Sequence, residues 1–150
     1  MRQFENAAAF AATMGEPHGP SDWVTVTQSM IDDFAKATGD RQWIHVDVER
    51  AAREAPGGTT IAHGYLTLSL LGTLMPLVFD VRAARIINVG SNRLRFLAPV
   101  PVGARLRLTM TAREAEPTSG GLKITCEAQF EIEGAKKPAL IADLIILYID

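Results

Sequence analysis

The stretch Thr59–Pro76, TTIAHGYLTLSLLGTLMP, decides how the rest of the chain has to be arranged. Its apolar residues Ile61, Tyr65, Leu66, Leu68, Leu70, Leu71, Leu74 and Met75 leave no polar stripe. A helix of that composition is apolar nearly all round and needs cover on every side. The stretch therefore predicts a buried central helix over Thr60–Met75, capped by the hydroxyl of Thr59 or Thr60 and stopped by Pro76, which cannot continue the hydrogen-bond ladder. About 17 residues make a rod about 25 Å long, whereas a membrane span needs about 20 apolar residues. In its first turn stand His63 and Gly64, the two residues that packing alone does not explain.

Downstream of this helix the hydrophobic period changes from 3.6 to 2. Leu106, Leu108, Met110 and Ala112 alternate with Arg105, Arg107, Thr109, Thr111 and Arg113, predicting a strand with one dry and one wet face. Leu122, Ile124, Cys126, Ala128, Phe130 and Ile132 repeat the pattern, with turns at residues 117–121 and 134–138. A further strand runs from Ile86 to Phe96, where Asn88, Gly90 and Asn92 would share a face with Leu94 and Phe96. The last strand, Leu140–Ile149, is apolar on both faces and needs cover on both. With a single central helix to wrap, the second cover is expected from another copy of the protein, which predicts a homodimer. Short connections favour antiparallel neighbours.

Upstream, residues 1–16 predict a short amphipathic helix around the AAAFAAT run, followed by a turn-rich connector in which His18 would be solvated. Trp23–Val26 predicts a short strand, and Thr27 caps a helix reaching Thr38, with Gly39 at its C-terminal end. Residues 39–47 have neither period and predict an ordered loop. Asp47 then caps a short helix over Val48–Ala55, which the Pro56-Gly57-Gly58 run stops.

The 150 residues suit one domain, spanning 1–150, with 47% hydrophobic and 21% charged residues, as in a globular chain. A net charge of −2 carries no electrostatic footprint for nucleic acid. Cys126 is the one cysteine, so an internal disulfide is excluded, and its place in an apolar row reads as core packing. The absence of a basic, apolar leader at the N-terminus and the single cysteine predict a cytoplasmic protein with no membrane partner.

Chemistry is left to a few polar residues. Asp40 and His45 are five apart in a loop, where a turn can bring a carboxylate and an imidazole to one water molecule; the alternative is a turn cap and a plug at the sheet edge. Gly64, at a helix start, offers either an unpaired N–H to a developing oxyanion or a close helix–sheet contact. His63 reads as a core or interface residue or as a third ligand to a metal held with Asp40 and His45. Asn88 and Asn92 are network members or substrate contacts.

The segments FAKATGDRQWIHVD and GTTIAHGYLTLSLL, at this separation, resemble the MaoC-like branch of the hot-dog fold, the (R)-specific enoyl-CoA hydratases, and within it the nodulation-protein-N-like subgroup. The resemblance covers nearly the whole chain. It implies an α+β hot-dog fold, an antiparallel sheet wrapped round a long central helix, and reversible addition of water to a trans-2-enoyl thioester. Asp40 and His45 match the family's dyad and Gly64 its oxyanion donor, with Gln42, Trp43, His63, Asn88 and Asn92 as candidate substrate-binding residues. The family's usual Gly-Asp-x-Asn-Pro-x-His motif carries Gln42 and Trp43 here in place of Asn-Pro, and Gly72 where some members have a serine. The substrate implied is an acyl-CoA or acyl-carrier thioester, with no cofactor and no metal. A thioesterase on the same fold would place a carboxylate on the central helix, yet no Asp or Glu occurs between Glu54 and Asp80. An acyl-thioester binding module without turnover is the remaining rival.

Overall fold

A computed structural model describes residues 1–149. In chain order the elements are strand β1 (Arg2–Phe4), helix α1 (Ala7–Ala11), strands β2 (Pro17–His18) and β3 (Val24–Thr25), and helices α2 (Gln28–Thr38), α3 (Trp43–Val46) and α4 (Val48–Glu54). The central segment follows as α5 (Gly64–Ser69) and α6 (Leu71–Val78). Strands β4 (Phe79–Val81), β5 (Arg85–Phe96), β6 (Arg105–Thr118), β7 (Gly121–Ile132) and β8 (Leu140–Ile149) complete the chain.

The long strands pair antiparallel in the order β2-β6-β7-β8-β5, with β3 beside β2 on β6, and the sheet curls round α5 and α6. This is the hot-dog arrangement expected from the sequence. The alternation on β6, β7 and β8 is reproduced: Leu106, Leu108, Met110, Ile124, Cys126, Phe130, Leu140, Leu144 and Ile146 are buried against Leu66, Leu70 and Leu74 of the helix. Burial pushes the Cys126 thiol up to about 12, so it stays protonated and acts as a core side chain.

The central helix departs from expectation in three ways. It starts at Gly64, because Thr60–Ala62 is extended: Val102 donates its N–H to the Thr60 carbonyl, Ala62 to that of Val100, and Ile61 bridges Pro101. The β-branched Thr60 and Ile61 suit that conformation. Pro76 lies inside α6, which continues to Val78. The carbonyl that Pro76 deprives of a donor belongs to Gly72, on the exposed side of the helix where water reaches it. Nor is the helix covered all round. Tyr65, Ser69, Gly72, Thr73, Pro76 and Leu77, a stripe at helical spacing, stay exposed because the sheet embraces the opposite side only.

Strand β5 is also less regular than its alternation suggests. Register shifts separate Asn88 from Gly90 and Ser91 from Leu94. Asn88 and Gly90 consequently pair with Ile146 and Ile145, on opposite faces, and Asn92 falls in the second irregularity. These three do not share a face.

In the N-terminal half, Thr27 accepts from the Met30 N–H and Gly39 closes α2 with a left-handed φ of 80°. The start of the chain is a short strand beside β4 rather than helix, and the helix that follows is only Ala7–Ala11. Residues 43–46, expected as loop, form one helical turn. His18, expected in solvent, is buried among the rings of Phe4, Phe10 and Phe79. Among the described residues no helix is long and apolar enough to cross a membrane.

Candidate active site

The loop after α2 and the start of α5 meet through the extended segment 60–62. Ile61 donates its N–H to the Ile44 carbonyl, and the His45 imidazole bonds back through Nδ1 to the Ile61 carbonyl at 2.7 Å. A carbonyl oxygen only accepts, so His45 Nδ1 carries the proton and Nε2 is left as a lone-pair acceptor. Gln28 holds the same turn from below: its amide donates to the His45 carbonyl at 2.9 Å and accepts from the Thr60 hydroxyl at 2.5 Å. His45 is thus fixed by its ring and by its backbone at once. Nothing in the sequence marks Gln28 for this task, since a glutamine at the first position of a helix is an ordinary occupant.

Asp40 stands on the exposed lip of the turn, and its carboxylate accepts from the Gln42 N–H at 3.4 Å. One carboxylate oxygen and a ring nitrogen from each of His45 and His63 lie within 4.8 Å of one another. Two hydrogen bonds of about 2.8 Å meeting at one water oxygen span a comparable distance, so a single water can bridge carboxylate and imidazole.

His63 caps the start of α5, 3% exposed, with its ring stacked on that of His45 at 3.8 Å between centroids and 25° between planes. Its Nε2 donates to the Asp40 backbone carbonyl at 3.0 Å. A shared metal does not suit this arrangement. One nitrogen of each ring already donates to a carbonyl, and nearly parallel ring planes meet only far from both rings, whereas a transition-metal ion needs both lone pairs to converge at about 2.0–2.1 Å.

Beside His45 a cavity of about 300 Å³ opens, walled by Ile61, Ala62, Gly64, Phe96 and Val100 and touched by Thr67. Gly64 is the first residue of α5, and its N–H has no partner within the helix because the first helical bond runs from Thr67 to the His63 carbonyl. A Cβ at position 64 would lie 2.9 Å from the Phe96 ring. The glycine therefore permits a close contact and leaves a backbone donor at the cavity wall, so both roles weighed for it are compatible.

The predicted catalytic residues Asp40, His45 and Gly64 thus gather at one place, with His63 directly behind. Gln42 and Trp43 flank the turn but do not line the cavity; Trp43 packs beneath the Arg50 guanidinium, 4.3 Å from the ring centroid. Asn88 borders a separate hollow of about 320 Å³ beside Ser69 and Met75, and Asn92 lies on the exposed far part of β5. Phe96, Thr67 and the Ala98–Val100 corner line the cavity without having been singled out in sequence. The position of that corner against α5 depends on the long-range pairing of residues 60–62 with 100–102, which no local pattern carries.

A family model described as MaoC like domain matches residues 9–129. A 3-hydroxyacyl-thioester dehydratase Z from Mycobacterium tuberculosis is 49% identical, with 99% of each chain covered. Nodulation protein N from Rhizobium leguminosarum is 42% identical over 89% of this chain and 85% of that protein. Among solved structures, an unliganded R-hydratase from Pseudomonas aeruginosa superposes with a TM-score of 0.74 at 23% identity, covering 91% of this chain and 82% of the other, a likeness of fold.

Proposed function

Because the chain belongs to the MaoC-like domain family, we propose that it is a hydro-lyase interconverting (R)-3-hydroxyacyl and trans-2-enoyl thioesters, with Asp40 and His45 as the acid–base pair and Gly64 as the oxyanion donor. In the hydration direction His45 Nε2 takes one proton of a water whose other proton is held by the Asp40 carboxylate. The oxygen adds to C3. The negative charge that moves onto the thioester oxygen is met by the Gly64 N–H, and the proton taken from water returns to C2, so that H and OH are added across the double bond with no other reactant. The walls of Ile61, Ala62, Phe96 and Val100 give the acyl chain an apolar seat.

The observation that carries this reading is the His45 tautomer. With Nδ1–H committed to the Ile61 carbonyl, the neutral imidazole presents Nε2 as its acceptor, which a general base must do. Hydration of crotonyl-CoA, followed with free-thiol release in parallel, tests it. Loss of the enoyl absorbance without thiol release is expected; thiol release would make the protein a thioesterase, and binding without either would make it a carrier module.

Residues from Phe4 to Tyr148 share one core, which supports a single functional domain over 1–150. The same reading makes the protein a homodimer. β5 is the edge of the sheet and exposes Ile86, Ile87 and Val89, and the bare stripe of the central helix also awaits cover. A monomer at micromolar concentration by light scattering would overturn the dimer.

A further inference from the structure

We infer that His63 is a positioning residue that locks the two members of the dyad to each other and to the start of α5, an inference that rests on the proposed hydration chemistry. Three observations meet in this one side chain. Its Nε2 donates to the carbonyl of Asp40, its ring lies flat on His45, and its own carbonyl accepts the first helical bond of α5, immediately before Gly64. Phe34 of α2 backs the ring at 4.9 Å between centroids. Asp40 follows the left-handed Gly39 at the end of α2 and is exposed; its N–H reaches the Thr38 hydroxyl at 3.3 Å, and its carbonyl has His63.

Donation to the Asp40 carbonyl places the proton of the neutral ring on Nε2, and Nδ1 lies buried. An apolar ring would keep the stacking on His45 and avoid burying that nitrogen. What an apolar ring cannot supply is the donor toward Asp40, so the Nε2–H···O=C bond is what a histidine adds at this position. Being almost wholly buried and outside the cavity lining, His63 acts through Asp40 and His45 rather than on the thioester.

The amide of glutamine can place a donor near the Nε2 position of histidine, and that of asparagine near the Nδ1 position, so the tether can be dissected. His63→Phe keeps a ring over His45 and removes the donor; kcat for crotonyl-CoA hydration is expected to fall about tenfold to a hundredfold, the scale of a small misplacement of catalytic groups, with KM little changed. His63→Gln should recover most of that loss, and His63→Asn should not. In an Asp40→Asn background His63→Phe should add little, because its effect passes through Asp40. Long-range 1H–15N spectra of the wild-type protein should show His63 as the Nε2–H tautomer, a readout independent of turnover. The inference is overturned by an Nδ1–H tautomer, or by Phe, Gln and Asn variants with equal kcat. If the phenylalanine variant does not fold, the glutamine–asparagine contrast decides alone. A wild type with the Nε2–H tautomer but no hydration keeps the tether and overturns the function instead.

Discussion

The protein has three histidines and buries all of them, yet the two places where it does so are built on opposite terms. His18 sits in an aromatic box of Phe4, Phe10 and Phe79. Its Nε2 meets the Thr13 hydroxyl at 2.8 Å, and Thr13 spends its own proton on the Phe10 carbonyl, so His18 must be the donor. Burial, reinforced by the nearby Arg2 and opposed by Glu16, lowers its pKa. His45 is also buried, but it borders a cavity, has Nε2 left free of the Ile61 carbonyl, and shares its surroundings with the Asp40 carboxylate and a backbone donor at Gly64. Burial alone does not distinguish the two sites; the cavity beside His45 and the tie of its ring to the Ile61 carbonyl do.

The contrast breaks most sharply at the dyad. Asp40→Asn and His45→Gln should each reduce hydration of crotonyl-CoA by at least about a hundredfold, with the double variant little worse than either, while thermal melts hold near wild type for the exposed Asp40. Near-normal turnover in either variant would make the two histidine sites equivalent. At Gly64, proline and alanine both bring a Cβ against the Phe96 ring but only proline removes the donor, so kcat of Gly64→Pro should lie on the order of a hundredfold to a thousandfold below that of Gly64→Ala, whose effect should fall more on KM. Proline is tolerated at the first helical position, so the melt of Gly64→Pro should show a folded protein.

At His18 the effects should fall on stability and leave kcat intact. The unfolded chain takes a proton at this residue near the ordinary histidine value, whereas the folded protein does so only at lower pH. The stability that depends on neutral His18 is therefore complete above about 6.5 and is lost as pH falls from there through the folded value. Denaturant titrations from pH 8 to pH 5 should show a shallower acid-side decline in His18→Phe than in wild type; parallel curves would remove His18 from the account. Smallest of all, Thr13→Val should cost about 1 kcal/mol at neutral pH by unpairing the His18 Nε2, with turnover unchanged.

The difference between the two sites also shows what a sequence can carry. Part of the frame of the candidate site was legible from local signals, since Thr27 caps α2 and Gly39 ends it just before Asp40, whereas the pairing of Asp40 with His45 and the role of Gly64 rested on the family resemblance. The strands were legible because alternation is a property of consecutive residues. His18 was misjudged because its cover comes from Phe4, Phe10 and Phe79, which meet only once β1 pairs with β4. The late start of the helix had the same origin. Thr60–Ala62 is extended because the 100–102 corner supplies hydrogen bonds that a helix start would have lacked, and that pairing spans 40 positions, from Ile61 to Pro101. On β5, alternation gave the right strand and the wrong faces, since an irregularity is a decision of the partner strand.

Those irregularities in β5 bear on what the exposed edge can template. A long edge strand with exposed Ile86, Ile87 and Val89 is the kind of template on which chains add without limit. The shifts between Asn88 and Gly90 and between Ser91 and Leu94 interrupt the repeat of backbone groups, so an incoming strand finds only short matched runs before its register fails. Such an edge can be closed by one partner shaped to fit the same interruptions, but it cannot seed a regular ladder. The register shifts that make β5 hard to read from sequence thus favour a finite particle over a fibre.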